Sequence, residues 1–169
     1  VEQDKERGTY RLGIKPYEVA SVFLHHLDIR RQAQPVLQSL ARQLSETVYL
    51  AVRHGDSVVY VDVAETEEPI RVATRLGARL TAHATAAGKV ISAHLSREKF
   101  DELFPPTLVP LTNKTITDRE ALFSQLVRVA DDGYAVSDEE ELSGVRSVAA
   151  PVWDFTKQVA GAVECVAPA

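Results

Sequence analysis

Two pairs of alternating apolar runs constrain this chain more than any other feature of its sequence. Residues 47–53 (TVYLAVR) and 58–64 (VVYVDVA) are rich in Val and Tyr and are joined by HGDS at 54–57. β-Branched and aromatic side chains suit a pleated surface, and a short Gly/Asp/Ser connection reverses the chain, so the spacing predicts an antiparallel hairpin. Residues 145–153 and 158–166 repeat the pattern around DFTK at 154–157. Shorter runs at 70–74 and 134–137 read as further strands, with Gly77 as a turn. Hairpins need no crossover helix, so the sheet they build is mainly antiparallel.

Helical periodicity fills much of the remainder. Residues 17–27 carry enough apolar side chains for a short helix. Asp28 can cap the next one, whose Ile29, Ala33, Leu37, Leu40, Ala41 and Leu44 fall on one stripe. Pro35 lies inside it and predicts a kink or a break, because a proline ring removes one backbone bond and crowds the preceding turn. Ser96 can cap a helix to about residue 104, ended by Pro105 and Pro106. Asp118 can cap another to about residue 132, with Leu122, Leu126 and Val129 inward and Gly133 as its stop. Residues 1–8 are charged, lack an apolar period and read as a linker or the tail of another element. The whole pattern predicts an α+β domain, helices against a mainly antiparallel sheet.

HATAAGK, residues 83–89, stands out between these elements. Thr85 can accept a hydrogen bond from a free N–H of a first helical turn, and Ala86, Ala87 and Gly88 are small enough to leave those N–H groups approachable. Two readings fit: a helix start whose small residues permit close packing, or a seat for an anionic group. A phosphate-binding loop is excluded. His83 stands where its first Gly belongs, and Val90 replaces the Ser or Thr that would reach magnesium.

Other chemistries find no support. The five histidines show no metal-ligand spacing, no Ser lies in a G-x-S-x-G turn, and the acidic run Asp138 to Glu141 reads as a solvated loop. Arg71, Arg75 and Arg79 recur every four residues, but on strand and turn, and read as surface. A net charge of −5 over 169 residues argues against gripping a nucleic-acid backbone. Cys165 is the single cysteine, so a disulfide within the chain is excluded and a reducing cytoplasm is the expected setting. No run approaches the roughly 18 apolar residues of a membrane span. There is no Met, so the chain is expected to begin inside a longer protein.

Read in order, these motifs form a familiar set. YRLG at 10–13 comes first, then the helix with Pro35 and the hairpin ending VVYVDVAE at 58–65. HATAAGK, TNKTITD at 112–118, GYAVSDEE at 133–140, GVRSVAAPVWD at 144–154 and GAVECVAP at 161–168 complete it. The ordered set resembles the C-terminal effector-binding domain of the IclR family of bacterial transcription regulators, from about residue 9 to residue 168.

That resemblance implies a GAF-like fold, a curved sheet flanked by helices around a small-molecule pocket. It implies residues 1–10 as a linker and remnant of a missing N-terminal winged helix-turn-helix, and 11–169 as the effector-binding domain. It implies a homodimer or homotetramer that contacts DNA only through the missing domain. No catalytic activity, cofactor, metal or membrane partner is expected. The ligand positions it implies are Ala86 and Ala87 through their N–H groups, Ser137, Val145, Ser147, Glu164 and Val166. The expected effector is a small organic molecule with an acidic or hydrogen-bond-accepting end at Ala86 and Ala87, and a donor at the opposite end, where Glu164 stands. The small-oxoacid binders of the family carry Asp at the position of Ser137 and Cys at that of Ser147, so a bare two- or three-carbon oxoacid fits poorly. Two rival readings are a GAF-type sensor from another signalling protein and an organic-acid enzyme using the HATAAGK site.

Overall fold

In the computed structural model, the described residues are 2–4, 9–11, 13–16, 18 and 28–169. The helix expected at 17–27 lies almost wholly outside them. The first elements are β1 (Glu2–Asp4) and β2 (Thr9–Arg11), paired antiparallel with Gln3 opposite Tyr10. Part of the segment read as a linker is therefore a strand.

Helix α1 (Asp28–Leu44) runs through Pro35 without a break, so of the two expected outcomes a rupture does not occur. Pro35 is exposed, where the missing backbone bond costs least, and the buried stripe Ala33, Leu37 and Ala41 holds both halves on the sheet. The hairpin follows as β3 (Thr47–His54) and β4 (Ser57–Ala64), with Gly55 at φ 65° in its turn. The short β5 (Arg79–Thr81) takes the free edge of β4. Residues 70–74, which the sequence predicts as a further strand, form none. Those residues are held by a side chain: the Tyr49 hydroxyl accepts from the Thr74 N–H at 2.7 Å and donates to the Val72 carbonyl at 3.4 Å.

Helix α2 (Ala86–Ser92) begins at the predicted cap, where Thr85 is extended and its hydroxyl accepts from the Gly88 N–H. Helices α3 (Arg97–Leu103) and α4 (Arg119–Asp132) start at Ser96 and Asp118, as the sequence predicts, and α4 stops at Gly133 in the left-handed region. The chain closes with β6 (Ala135–Asp138), β7 (Val145–Trp153) and β8 (Val159–Pro168).

The six strands order β5-β4-β3-β8-β7-β6, antiparallel throughout. Register shifts at Leu50/Ala51 and at Val152/Trp153 mark irregularities of the kind that bend and twist a sheet. Because β3 is central, both its faces are covered. Val48 and Leu50 pack with Val61 under α1, while Tyr49 and Ala51 join Ala86, Ala87 and Val90 of α2 on the other side. This is why the strand reads as a nearly continuous apolar run. All seven residues of α2 are buried. A Cβ on Gly88 would stand 2.2 Å from the Ala82 carbonyl oxygen, so the small residues of HATAAGK do permit close packing.

Candidate functional site

Register decides which side chains meet on the face that carries α2. Ser137 lies opposite Ser147, Ser147 opposite Val166, and Val166 opposite Thr47. One row along, Ala135, Ala149, Glu164 and Tyr49 are likewise in line. Side chains of one row share a face. Four strands therefore bring together residues up to 119 positions apart in sequence (47 to 166).

These rows border a cavity with about 390 Å³ of empty space, its mouth included. Of the expected ligand positions, Ser137, Val145, Ser147, Glu164 and Val166 line it. Ala86 and Ala87 do not: both are fully buried behind the wall. Tyr60, Val72, Thr74, Leu80, Thr85, Glu141 and Leu142 complete the lining.

Glu164 is 1% exposed, yet among the described residues no cationic side chain pairs with it. Burial raises its pKa, because a carboxylate loses water's solvation there. Donors resist that shift. The Ser147 hydroxyl favours the charged form most, followed by the Tyr60 hydroxyl, which donates to Oε2 at 2.8 Å, and then by the N–H groups of Ala87 and Ala86. Tyr60 in turn is pushed well above the ordinary phenol value, first by burial and then by the Glu164 charge, so it stays a donor. Tyr49 stacks on Tyr60 with ring centroids 4.3 Å apart, which fixes the ring that carries this hydroxyl.

The backbone N–H groups of Ala87 and Ala86 favour the charged form of Glu164, so this carboxylate lies towards the start of α2 rather than at an end of the cavity remote from it. Ser137 is also partly committed, since its hydroxyl donates to the Ala84 carbonyl at 2.7 Å and ties the HATAAGK turn to β6.

The acidic run departs from the solvated loop expected of it. Asp138 and Glu139 do face solvent, paired with Lys114 at 3.2 and 2.6 Å. Glu140 is buried and pairs with Lys89, whose side chain is wholly enclosed. Burial lowers the Lys89 pKa and Glu140 restrains the fall. Lys89 also donates to the Val136 carbonyl at 3.4 Å. Thr112 and Thr115 donate to the carbonyls of Glu139 and Glu140 at 2.7 and 2.6 Å, pinning the same loop from outside. Glu141 then turns back to the cavity wall.

Sequence reasoning missed Tyr60, Thr74 and Glu141. Tyr60 was legible as an inward strand position, but its partnership with Glu164 requires the strand order. Thr74 and Glu141 sit on connections whose course no periodicity sets. Among the described residues no cluster of His, Cys, Asp or Glu could hold a metal ion, and no helix is long and apolar enough to cross a membrane.

Comparison with known proteins gives a consistent result. A family model described as bacterial transcriptional regulator IclR C-terminal matches residues 21–169. The HTH-type transcriptional regulator XynR of Escherichia coli K12 is 36% identical over 164 residues, covering 96% of this chain and 65% of XynR. The chain thus spans less than two thirds of the length of the curated relatives it matches first. The crystal structure of Thermotoga maritima IclR superposes with a TM-score of 0.85 at 31% identity, over 99% of this chain and 68% of that one. A double mutant of the Acinetobacter PobR inducer-binding domain, in complex with 3-hydroxybenzoic acid, superposes with a TM-score of 0.75 at 33% identity, over 82% of each chain.

Proposed function

We propose, from the premise that this chain belongs to the IclR family of bacterial transcriptional regulators as their C-terminal domain, that it senses a small organic effector and relays its presence to a DNA-binding segment. The effector lies in the cavity lined by Ser137, Val145, Ser147, Glu164 and Val166, with Ala86 and Ala87 acting through the carboxylate they hold. The observation that carries this reading is Glu164: a carboxylate enclosed, among the described residues, without a cation, on the wall of a cavity lined by both polar and apolar side chains. A domain built for stability alone gains more from an apolar residue there.

DNA contact belongs to an N-terminal winged helix for which residues 1–10 are the connecting remnant. The pairing of β1 with β2 supports that reading, because a two-stranded ribbon is the wing's shape. The domain works in the cytoplasm as a homodimer or homotetramer. Its named relatives are transcriptional regulators, a non-enzymatic family, which disfavours both the organic-acid enzyme and the sensor of a different signalling protein.

A thermal-shift screen of small acids, polyols and amines, followed by amide chemical-shift mapping of each stabiliser, tests the reading. Effectors should move the amides of Ser147, Glu164 and Val166. A stabiliser whose shifts all lie away from these strands contradicts it. Sedimentation at micromolar concentration should show self-association, and a gel shift should show no sequence-specific DNA binding by these residues alone.

A further inference from the structure

We propose that Glu141 is the specificity-determining residue of this cavity, and that it selects an effector whose recognised end is a hydrogen-bond donor without negative charge, an amine or a hydroxyl. The inference rests on the cavity being the effector site.

Three observations carry it. First, two carboxylates, Glu141 and Glu164, line the cavity, while no Lys, Arg or His does. An anionic ligand would meet like charge with nothing to offset it. Second, the two acids differ in what they have left to give. Glu164 already has Tyr60, Ser147 and two backbone N–H groups around it. Glu141 is half-buried and, among the described residues, has no hydrogen bond or ion pair. A half-buried carboxylate without a protein partner keeps its acceptor capacity for a donor that enters the cavity. Third, its position is fixed rather than accidental. The next residue back, Glu140, is anchored to Lys89, and Thr115 holds the Glu140 carbonyl at 2.6 Å. Glu141 is thereby set beside the mouth, close enough for its charge to act on Tyr60. Leu142 and Val145 flank it with apolar surface for a short hydrocarbon body.

Three four-carbon probes test this: n-butylamine, butane-1,2-diol and n-butyrate, titrated at millimolar concentration while the amides of Ser147 and Val166 are followed. The amine and the diol should bind more tightly than butyrate, the amine by about tenfold, the value of one charge-assisted hydrogen bond. Glu141→Gln should remove the amine's advantage, and Glu141→Lys should reverse the order in favour of butyrate. Tightest binding of butyrate by the unaltered chain, or equal affinities before and after Glu141→Gln, would overturn the assignment of Glu141 and leave the cavity standing as the site. Shifts that avoid Ser147 and Val166 for all three probes would overturn the site itself, and the assignment with it.

Discussion

The two faces of strand β3 differ in how many polar groups they bury. Under α1, the buried cluster is apolar, Ala33, Leu37 and Ala41 against Val48, Leu50 and Val61, with one buried charge, Asp62, paired to Arg30 of α1 at 3.3 Å. Across the same strand, the layer around α2 buries His83, Lys89, Ser137 and Glu164 among its apolar residues. An apolar seam gains stability from every methylene it hides. A buried polar group repays its desolvation only when its partners are complete. The first face has the composition of a scaffold. The second carries groups whose presence stability does not explain, and two of them, Ser137 and Glu164, line the cavity.

The largest effect should come from the polar face. Lys89→Met strips the partner from Glu140 and leaves a buried charge uncompensated, at a cost of about 3–5 kcal/mol. Denaturant unfolding measures it. A loss below 1 kcal/mol would mean that the pair is not enclosed as described.

Next comes the scaffold face. Leu37→Ala should cost about 2–4 kcal/mol by opening a cavity beneath α1. At temperatures where this variant stays folded, its effector binding should equal that of the unaltered chain. A change in binding without unfolding would erase the distinction between the two faces.

Tyr60→Phe keeps the ring stacked on Tyr49 and removes one donor from Glu164. A loss of about 1–2 kcal/mol is expected, with a further rise of the Glu164 pKa readable by carboxyl-carbon NMR. An unchanged titration would break the proposed coupling.

The smallest effect separates groups within the polar face by pH. Burial lowers the pKa of His83, whose ring nitrogen Nε2 lies 3.0 Å from the Val109 carbonyl oxygen. The native state thus favours the neutral ring. Its stability contribution is complete above the ordinary value of 6.5 and is lost as pH falls through the lowered native value. Burial raises Glu141 and Glu164, so their contribution runs the other way: present at low pH, lost as pH rises through their native values. His83→Gln should therefore flatten the decline of melting temperature below pH 6.5. An unaltered slope would remove His83 from the account.

The scaffold was legible in the sequence and the polar face only partly so. Alternation marked β3, β4 and β7, and the caps Thr85, Ser96 and Asp118 mark the starts of three helices, because these signals act within a few residues. Residues 70–74 misled because the backbone of Val72 and Thr74 bonds to the Tyr49 hydroxyl rather than to a strand. The family resemblance supplied five residues of the cavity wall. It did not supply the meeting of Glu164 with Tyr60 and α2, which depends on strand order and on where a seven-residue helix lands. Glu140 and Glu141, read as solvated with the rest of their run, are separated from it only by the reach of Lys89.

That meeting carries the central proposal: Glu164 lies at the start of α2, where it takes the place of an anionic group. Glu164→Ala should empty that place. Millimolar acetate should then raise the melting temperature of the variant and shift the amides of Ala86 and Ala87, while leaving the unaltered chain unchanged, since a ligand stabilises only a state that has a site for it. Equal stabilisation of the unaltered chain by acetate at those amides would show the seat already open and contradict the account.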